Sequence, residues 1–292
     1  MLSILIPTYN YNSFPLVESL WQQAKLANVT FEIIVLDDGS TQFLNENELI
    51  NNFEYCLFFK NENNLGRTQT RNILVKEAKY DWLLFLDADV MPVNLDFIKN
   101  YYSQIEKQFD AILGGIKYVD NAPDFSTILR YKYGKLREEI LSSKRNKKPF
   151  TSILSANLLI KKAVFLTCNY TGEKNYYGMD NFFAYQLYAN NYKVLHIDNP
   201  VYHLGLETND VFFQKSLKSV EIRRYLLADF PQIENLNPIL KKYKMVNQFG
   251  LKKIVAFVFR KIESPLRKRI LNKNPNLFYF DLYRLGFMCI LK

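Results

Sequence analysis

Asp87 and Asp89 stand one residue apart at the end of the apolar run Trp82-Leu83-Leu84-Phe85-Leu86. Buried strands rarely terminate in two carboxylates, and two acids so spaced point roughly the same way and repel one another. A hard divalent ion carrying a bound phosphate relieves that repulsion most directly, which is the chemistry of a nucleotide-dependent enzyme. The same residues also suit a loop that opens a helix, because Pro92 and Asn94 follow and acids favour helix starts. The motif by itself admits both readings.

The elements that must carry these acids follow from the hydrophobic pattern. Strands are expected at 2–6, 32–36, 55–59, 82–86 and 111–114, separated by helices at 13–26, 42–52, 66–79 and 95–108. Alternation of this kind implies an α/β fold whose mostly parallel sheet is covered by helices on both faces. Such sheets bind ligands beyond the carboxyl ends of their strands, which puts Pro7 to Asn10, Asp37 to Ser40 and Asp87 to Asp89 on one rim. Beyond 115 the pattern loosens. It reads as a charged helix over 126–145, short strands within 152–160, a helix over 180–190 and a strand over 193–197, then helices from Asp210 onward.

Composition bounds the rest. The chain has 292 residues, 48% of them apolar, enough for one large α/β core with or without a smaller appendage. Cys56, Cys168 and Cys289 are far apart and odd in number, so neither a disulfide framework nor a zinc site is expected, and a reducing cytoplasm fits. The first residues lack the basic segment and apolar length of a signal peptide, and no run reaches the span of a bilayer.

The net charge of +9 is unevenly placed: from Lys241 onward thirteen bases face two acids, leaving residues 1–240 at −2. Interleaved with Ile254-Val255-Ala256-Phe257-Val258-Phe259 and Leu277-Phe278-Tyr279-Phe280, this basic tail suits an anionic membrane surface. Nucleic acid is disfavoured because the segment is greasier than phosphate binding requires. A tail packed on its own domain with a solvated basic face is the remaining reading.

Four segments carry a resemblance: Ile6-Pro7-Thr8-Tyr9-Asn10, Val35-Leu36-Asp37-Asp38-Gly39-Ser40, Asn64-Leu65-Gly66-Arg67 with Arg71-Asn72, and Leu86-Asp87-Ala88-Asp89. In order and spacing the set resembles a family 2 glycosyltransferase with the GT-A fold. The resemblance implies a nucleotide-sugar-binding half over 1–115 and an acceptor-binding half over 116–240, and the change of charge near 240 sets off a basic helical extension over 241–292. Pro7 and Tyr9 would wall a pocket for a flat pyrimidine, although the same residues also make a tight turn. Asp38 would accept the base's imide N–H, or else cap a helix. Gly66 would open a helix whose free N–H groups, with Arg71, face phosphate or ribose oxygens, although Arg71 could equally be an ordinary surface base.

The resemblance further implies that Asp87, with Ala88 beside it, reaches the ribose and the water shell of a metal, while Asp89 binds Mn²⁺ or Mg²⁺ directly. His203 would complete the metal shell, with Glu207 holding it through a hydrogen bond, unless the histidine is merely structural. Asp180 aligns with the family's usual base, and Met179 stands where a first acid is expected. Gly178, Met179 and Asn157 would lie on the acceptor side, and Gly114-Gly115 would admit the donor sugar.

The implied activity is metal-dependent, inverting transfer from a nucleotide-sugar, specifically a UDP-sugar, to a hydroxyl of a glycan or lipid-linked acceptor. The implied setting is bacterial surface polysaccharide assembly, with the protein peripheral on the cytoplasmic face of the membrane. One alternative is a nucleotidyltransferase, but Asn10-Tyr11-Asn12-Ser13-Phe14-Pro15 lacks the glycines and bases of a triphosphate loop. Another is a non-catalytic sugar-nucleotide-binding membrane protein, favoured only by Met179.

Overall fold

The computed structural model describes residues 1–120, 123–172, 174 and 176–291. Its strands are β1 (Leu2–Thr8), β2 (Phe31–Asp37), β3 (Cys56–Lys60), β4 (Trp82–Leu86), β5 (Val90–Pro92), β6 (Ala111–Leu113), β7 (Ile116–Lys117), β8 (Asn157–Lys161), β9 (Val194–His196) and β10 (Val201–His203). The helices are α1 (Phe14–Leu26), α2 (Leu44–Glu48), α3 (Arg67–Glu77), α4 (Phe97–Tyr102), α5 (Ile128–Arg137) and α6 (Ser142–Arg145). They continue with α7 (Lys162–Cys168), α8 (Asp180–Ala189), α9 (Asn209–Ile222), α10 (Pro238–Gln248), α11 (Lys252–Ile270) and α12 (Leu277–Ile290). Two compact units result. The first comprises Met1–Val119, Glu138–Asn175 and Gln186–Gly205; the second comprises Asp120–Arg137, Tyr176–Tyr185 and Leu206–Lys292.

The first unit holds a seven-stranded sheet in the order β3-β2-β1-β4-β8-β6-β9. β1 lies parallel to β2 and β4, and β2 to β3, while β8 runs antiparallel between β4 and β6. The mostly parallel sheet expected from the alternation is present, with one reversed strand that the pattern did not reveal. β1 and β2 are buried almost throughout, which is why they read as near-continuous apolar runs. Ser3 and Glu32, at the second position of each strand, satisfy one another. Ser3 donates to Glu32 at 2.6 Å, and Ser3 and Glu32 then accept the backbone N–H groups of Tyr80 and Lys79, fixing the chain's entry to β4.

A second sheet of three strands, β5-β10-β7, was not foreseen. Its strands are two or three residues long and too short to show a period. Antiparallel pairing sets His203 opposite Val90, and the Leu204 N–H donates to the Asp89 carbonyl at 2.8 Å.

The expected helix over 126–145 is broken into α5 and α6. Arg145 explains the end of the second piece. Its guanidinium is buried under Gly115 and donates to the carbonyls of Leu113, Gly114, Ile140 and Ile197. It also contacts Nδ1 of His196 at 2.7 Å, while His196 Nε2 meets the Pro149 carbonyl at 2.8 Å. Arginine can only donate, so Nδ1 accepts and Nε2 carries the proton: a neutral, structural histidine.

The second unit is helical. Phe212, Phe213 and Leu217 of α9 pack with Phe259, Leu266, Ile270, Leu277, Phe280 and Tyr283 of α11 and α12, and a neighbouring cluster joins Val220, Leu240, Tyr243, Ala256 and Met288. The apolar residues of the basic tail therefore divide. Ala256, Phe259, Leu277 and Phe280 are core, whereas Ile254, Phe257, Val258 and Phe278 are exposed. Among the described residues no helix is long and apolar enough to cross a membrane.

Burial, helped by the Arg145 charge and opposed by the Pro149 hydrogen bond, lowers the pKa of His196 to about 4. The unfolded histidine binds its proton near pH 6.5, so stability is full above that pH and is lost as pH falls from 6.5 toward 4, by up to about 3 kcal/mol. Urea unfolding across this range is expected to show the loss in the native chain and a flatter profile in His196→Gln. Parallel profiles would remove His196 as the cause.

Candidate functional site

Parallel pairing carries the ends of β1, β2 and β4 to one edge of the sheet, where their loops are stitched together. Asp38 N–H donates to the Thr8 carbonyl at 2.9 Å, Asn10 N–H to Ser40 Oγ at 2.7 Å, and Thr41 N–H to Asn10 Oδ1 at 2.9 Å. Pro7 and Tyr9 stand on this rim, and Tyr9 is 54% exposed. The Asp37 carboxylate is buried; one oxygen accepts the Ser40 N–H and the other has no hydrogen-bond partner.

Asp38 differs from expectation. Its Oδ1 accepts from Asn61 Nδ2 and the Leu65 N–H, and its Oδ2 from the Gly66 N–H at 2.7 Å. The carboxylate thus holds the loop before α3, which leaves little acceptor capacity for an imide N–H. For the same reason the N–H of Gly66 is not free for phosphate. Its φ of +85° instead supplies the left-handed turn into α3.

Arg71 is corrected as well. It is only 5% exposed, its guanidinium lies over the Phe85 ring, and it donates to Ser155 Oγ, the Ser155 carbonyl and Asp87. It faces the protein. Arg67, more exposed, grips both oxygens of Asp87 at 2.7 Å. Burial opposes ionisation of Asp87, yet the two arginines, aided by His203, outweigh it and bring the pKa down to about 2. Ala88 between the acids is buried.

Asp89 Oδ2 lies 3.5 Å from His203 Nε2. Burial raises the Asp89 pKa, with Asp87 adding to the effect and His203 opposing it. Nδ1 of His203 is buried without a hydrogen-bond partner, and the ring packs against Tyr118, itself bonded to Glu138. Glu207 does not orient the histidine as expected; it pairs with Lys215. Gly205 passes so close that a Cβ there would stand 2.1 Å from Asp89 Oδ2, so the chain admits no side chain at that point.

Among the described residues no group of three or more potential metal ligands converges. An oxygen and an imidazole nitrogen facing one another are nevertheless a donor set that fits Mn²⁺ or Mg²⁺, ions that keep positions for phosphate oxygens and water. Burial, with the Asp89 charge adding to it, raises the phenol pKa of Tyr11.

Asn157, expected on the acceptor side, is fully buried. Its Oδ1 accepts from Tyr101 and its Nδ2 donates to the Gly115 and Asn199 carbonyls. Gly114 is small for the same packing reason, since a Cβ would meet the Asn199 carbonyl at 2.2 Å. In the second unit, Gly178 (φ +83°) turns the chain against Ser219, Met179 is buried, and Asp180 opens α8 half-buried. The side chain at 179 therefore packs inward and presents nothing to an acceptor.

The sheet order, with acids and a histidine at the carboxyl rim, defines a GT-A-type α/β scaffold. A TarS fragment from S. aureus, solved with UDP-GlcNAc, aligns over 98% of this chain and 90% of its own (TM-score 0.53, 20% identity). The mannosyltransferase PcManGT of Pyrobaculum calidifontis, solved with GDP-Man and Mn²⁺, aligns over 99% and 86% (TM-score 0.64, 12% identity). In sequence, chondroitin synthase of Pasteurella multocida is 32% identical over 124 residues, 41% of this chain and 12% of that protein. The chain spans less than half the length of the curated relatives it matches. The sequence model of glycosyl transferase family 2 matches residues 3–165, and the chain belongs to that family.

Removing a buried partner from a charge pair costs more than removing an exposed one. Arg71→Gln is expected to destabilise the chain by about 2–4 kcal/mol and Arg67→Gln by under about 1 kcal/mol. Urea unfolding of both variants tests this, and equal losses would show that the burial of Arg71 adds nothing.

Proposed function

We propose that this chain is a metal-dependent, inverting glycosyltransferase that moves a sugar from a nucleotide-sugar, a UDP-sugar, to a hydroxyl of a glycan or lipid-linked acceptor in bacterial surface polysaccharide synthesis. The observation that carries the reading is the facing pair Asp89 and His203, beside an Asp87 kept ionised by two arginines, in a chain of this family. The nucleotide-sugars bound by TarS and PcManGT, and the Mn²⁺ bound by the latter, support the donor class and metal.

Asp89 and His203 would hold Mn²⁺ or Mg²⁺. The ion would supply positive charge for the departing nucleoside diphosphate. Asp87, fixed by Arg67 and Arg71, stays anionic at neutral pH and would accept ribose hydroxyls, while Pro7 and exposed Tyr9 offer a flat face to the base. Asp180 would take the proton of the acceptor hydroxyl as its oxygen bonds to the anomeric carbon. The bond from that carbon to the diphosphate oxygen then breaks, its electron pair leaving with the nucleotide and the anomeric configuration inverting.

Titration with UDP, GDP and dTDP, with and without Mn²⁺, tests the donor assignment. UDP is expected to bind with micromolar affinity only with metal, and Asp89→Asn to lose that dependence. Asp180→Asn is expected to keep donor binding while turnover falls roughly 10²- to 10⁴-fold. Metal-independent UDP binding would remove the metal role, and unchanged turnover would assign the base elsewhere.

The protein is also proposed to sit on the cytoplasmic face of the membrane. Phe249, Leu251, Ile254, Phe257 and Val258 are exposed together at the start of α11, with Lys253, Arg260 and Lys261 among them. An apolar strip bordered by bases matches the anionic interface of a bilayer. Sedimentation with phosphatidylglycerol vesicles is expected to exceed that with phosphatidylcholine alone, and Ile254→Ser with Phe257→Ser to weaken it roughly tenfold or more. A self-associated species that the same variants disperse would assign the strip to a second copy of the chain instead.

A further inference from the structure

The three-stranded sheet brings more than His203 to the rim. β10 lies between β5 and β7, with His203 opposite Val90 on one side. On the other side β7 runs parallel to it, Val201 opposite Ile116 and Tyr202 opposite Lys117, so one further step of that register sets Tyr118 beside His203. Side chains at one level of a sheet share a face. The two rings accordingly pack together, their centroids 5.7 Å apart and their planes tilted by 33°.

A histidine that binds metal through one ring nitrogen usually hydrogen-bonds through the other, and that bond fixes the plane of the ring. His203 lacks it. Its Nε2 faces Asp89 at 3.5 Å, and its Nδ1 is buried without a hydrogen-bond partner among the described residues. The torsion that turns an imidazole about its Cβ–Cγ bond is broad, so an unbonded ring is held only by what it packs against.

Tyr118 suits that task because it is itself held at both ends. It is 2% exposed, its N–H donates to Glu139 Oε2 at 3.0 Å, and its hydroxyl donates to Glu138. A phenylalanine would fill the same space, whereas the charge-assisted bond to Glu138 fixes where the ring ends. Asp89 is confined from its own side, since a Cβ on Gly205 would stand 2.1 Å from its Oδ2. Each member of the facing pair is thus placed by packing.

We propose that Tyr118, anchored by Glu138 and Glu139, is the positioning residue of His203: its ring face takes the place of the missing hydrogen bond and keeps Nε2 aimed at Asp89. This role rests on the metal reading above, in which Asp89 and His203 hold the ion. Tyr118 acts only through the histidine.

The test is binding of Mn²⁺ by the full chain in the presence of UDP, followed by the paramagnetic resonance signal of the free ion against a UDP-only blank. Tyr118→Leu is expected to weaken that binding roughly 10- to 100-fold, the range for a residue that orients a metal ligand. Tyr118→Phe keeps the ring and is expected to fall between that variant and the native chain. In a His203→Ala background Tyr118→Leu is expected to have no further effect, because the group it acts through is gone. Thermal unfolding checks that each variant folds, and Tyr118→Met, which has no ring face, replaces Tyr118→Leu if the latter does not. An equal loss in both backgrounds would make Tyr118 a core residue and overturn the proposal, as would native affinity in Tyr118→Leu. Either result leaves the metal reading standing where His203→Ala alone weakens binding. No Mn²⁺ binding by the native chain with UDP, GDP or dTDP would remove the metal reading and the role of Tyr118 with it.

Discussion

The carboxylate of Asp87 is the point on which the rim depends. It sits at the end of β4, and Arg67 and Arg71 reach it from the first turns of α3. Arg71 at the same time holds the Ser155 loop ahead of β8, so one anion fixes a strand end, a helix start and a loop. The balance of effects is clear in sign: burial raises the pKa of the group, and the two guanidiniums, aided by His203, outweigh it and keep it charged.

The neighbouring Asp89 is treated oppositely. It receives no arginine of its own, its pKa is raised, and its facing group is a histidine presented by the small sheet. Two carboxylates one residue apart are thereby given different tasks by their surroundings. Asp87 organises the rim, and Asp89 retains open valence toward whatever occupies it. The three-stranded sheet makes this pairing: β10 returns beside β5 with His203 in register with Val90, and Gly205 leaves room beside Asp89.

In the second unit the basic tail serves two purposes at once. The inward faces of α11 and α12 complete a core with α9, and the outward face of α11 leaves aromatic and aliphatic groups among lysines. Gly286 shows how tightly the inward side is packed, since a Cβ there would stand 2.3 Å from the Phe259 ring.

Much was legible from sequence because it is local or periodic. The alternation of apolar runs gave β1, β2, β3, β4 and the helices between them, and turn chemistry put Asp37, Asp38, Asp87 and Asp89 on one edge. Binding roles were less legible, because a residue type does not reveal its partner. Asp38, Arg71 and Asn157 were read as facing a ligand, and each is engaged by its own protein: a loop backbone, a neighbouring carboxylate, a buried tyrosine. Those partners lie 16 to 56 residues away in the chain, beyond any spacing rule. The sequence alone determined the α/β alternation, the acid-bearing strand ends and the charge of the tail, since these follow from local pattern and composition. Tertiary structure alone decided which acid is gripped by arginines, which histidine is locked in a buried hydrogen-bonded pair and which part of the tail is core, because each depends on groups that meet only when the chain is folded.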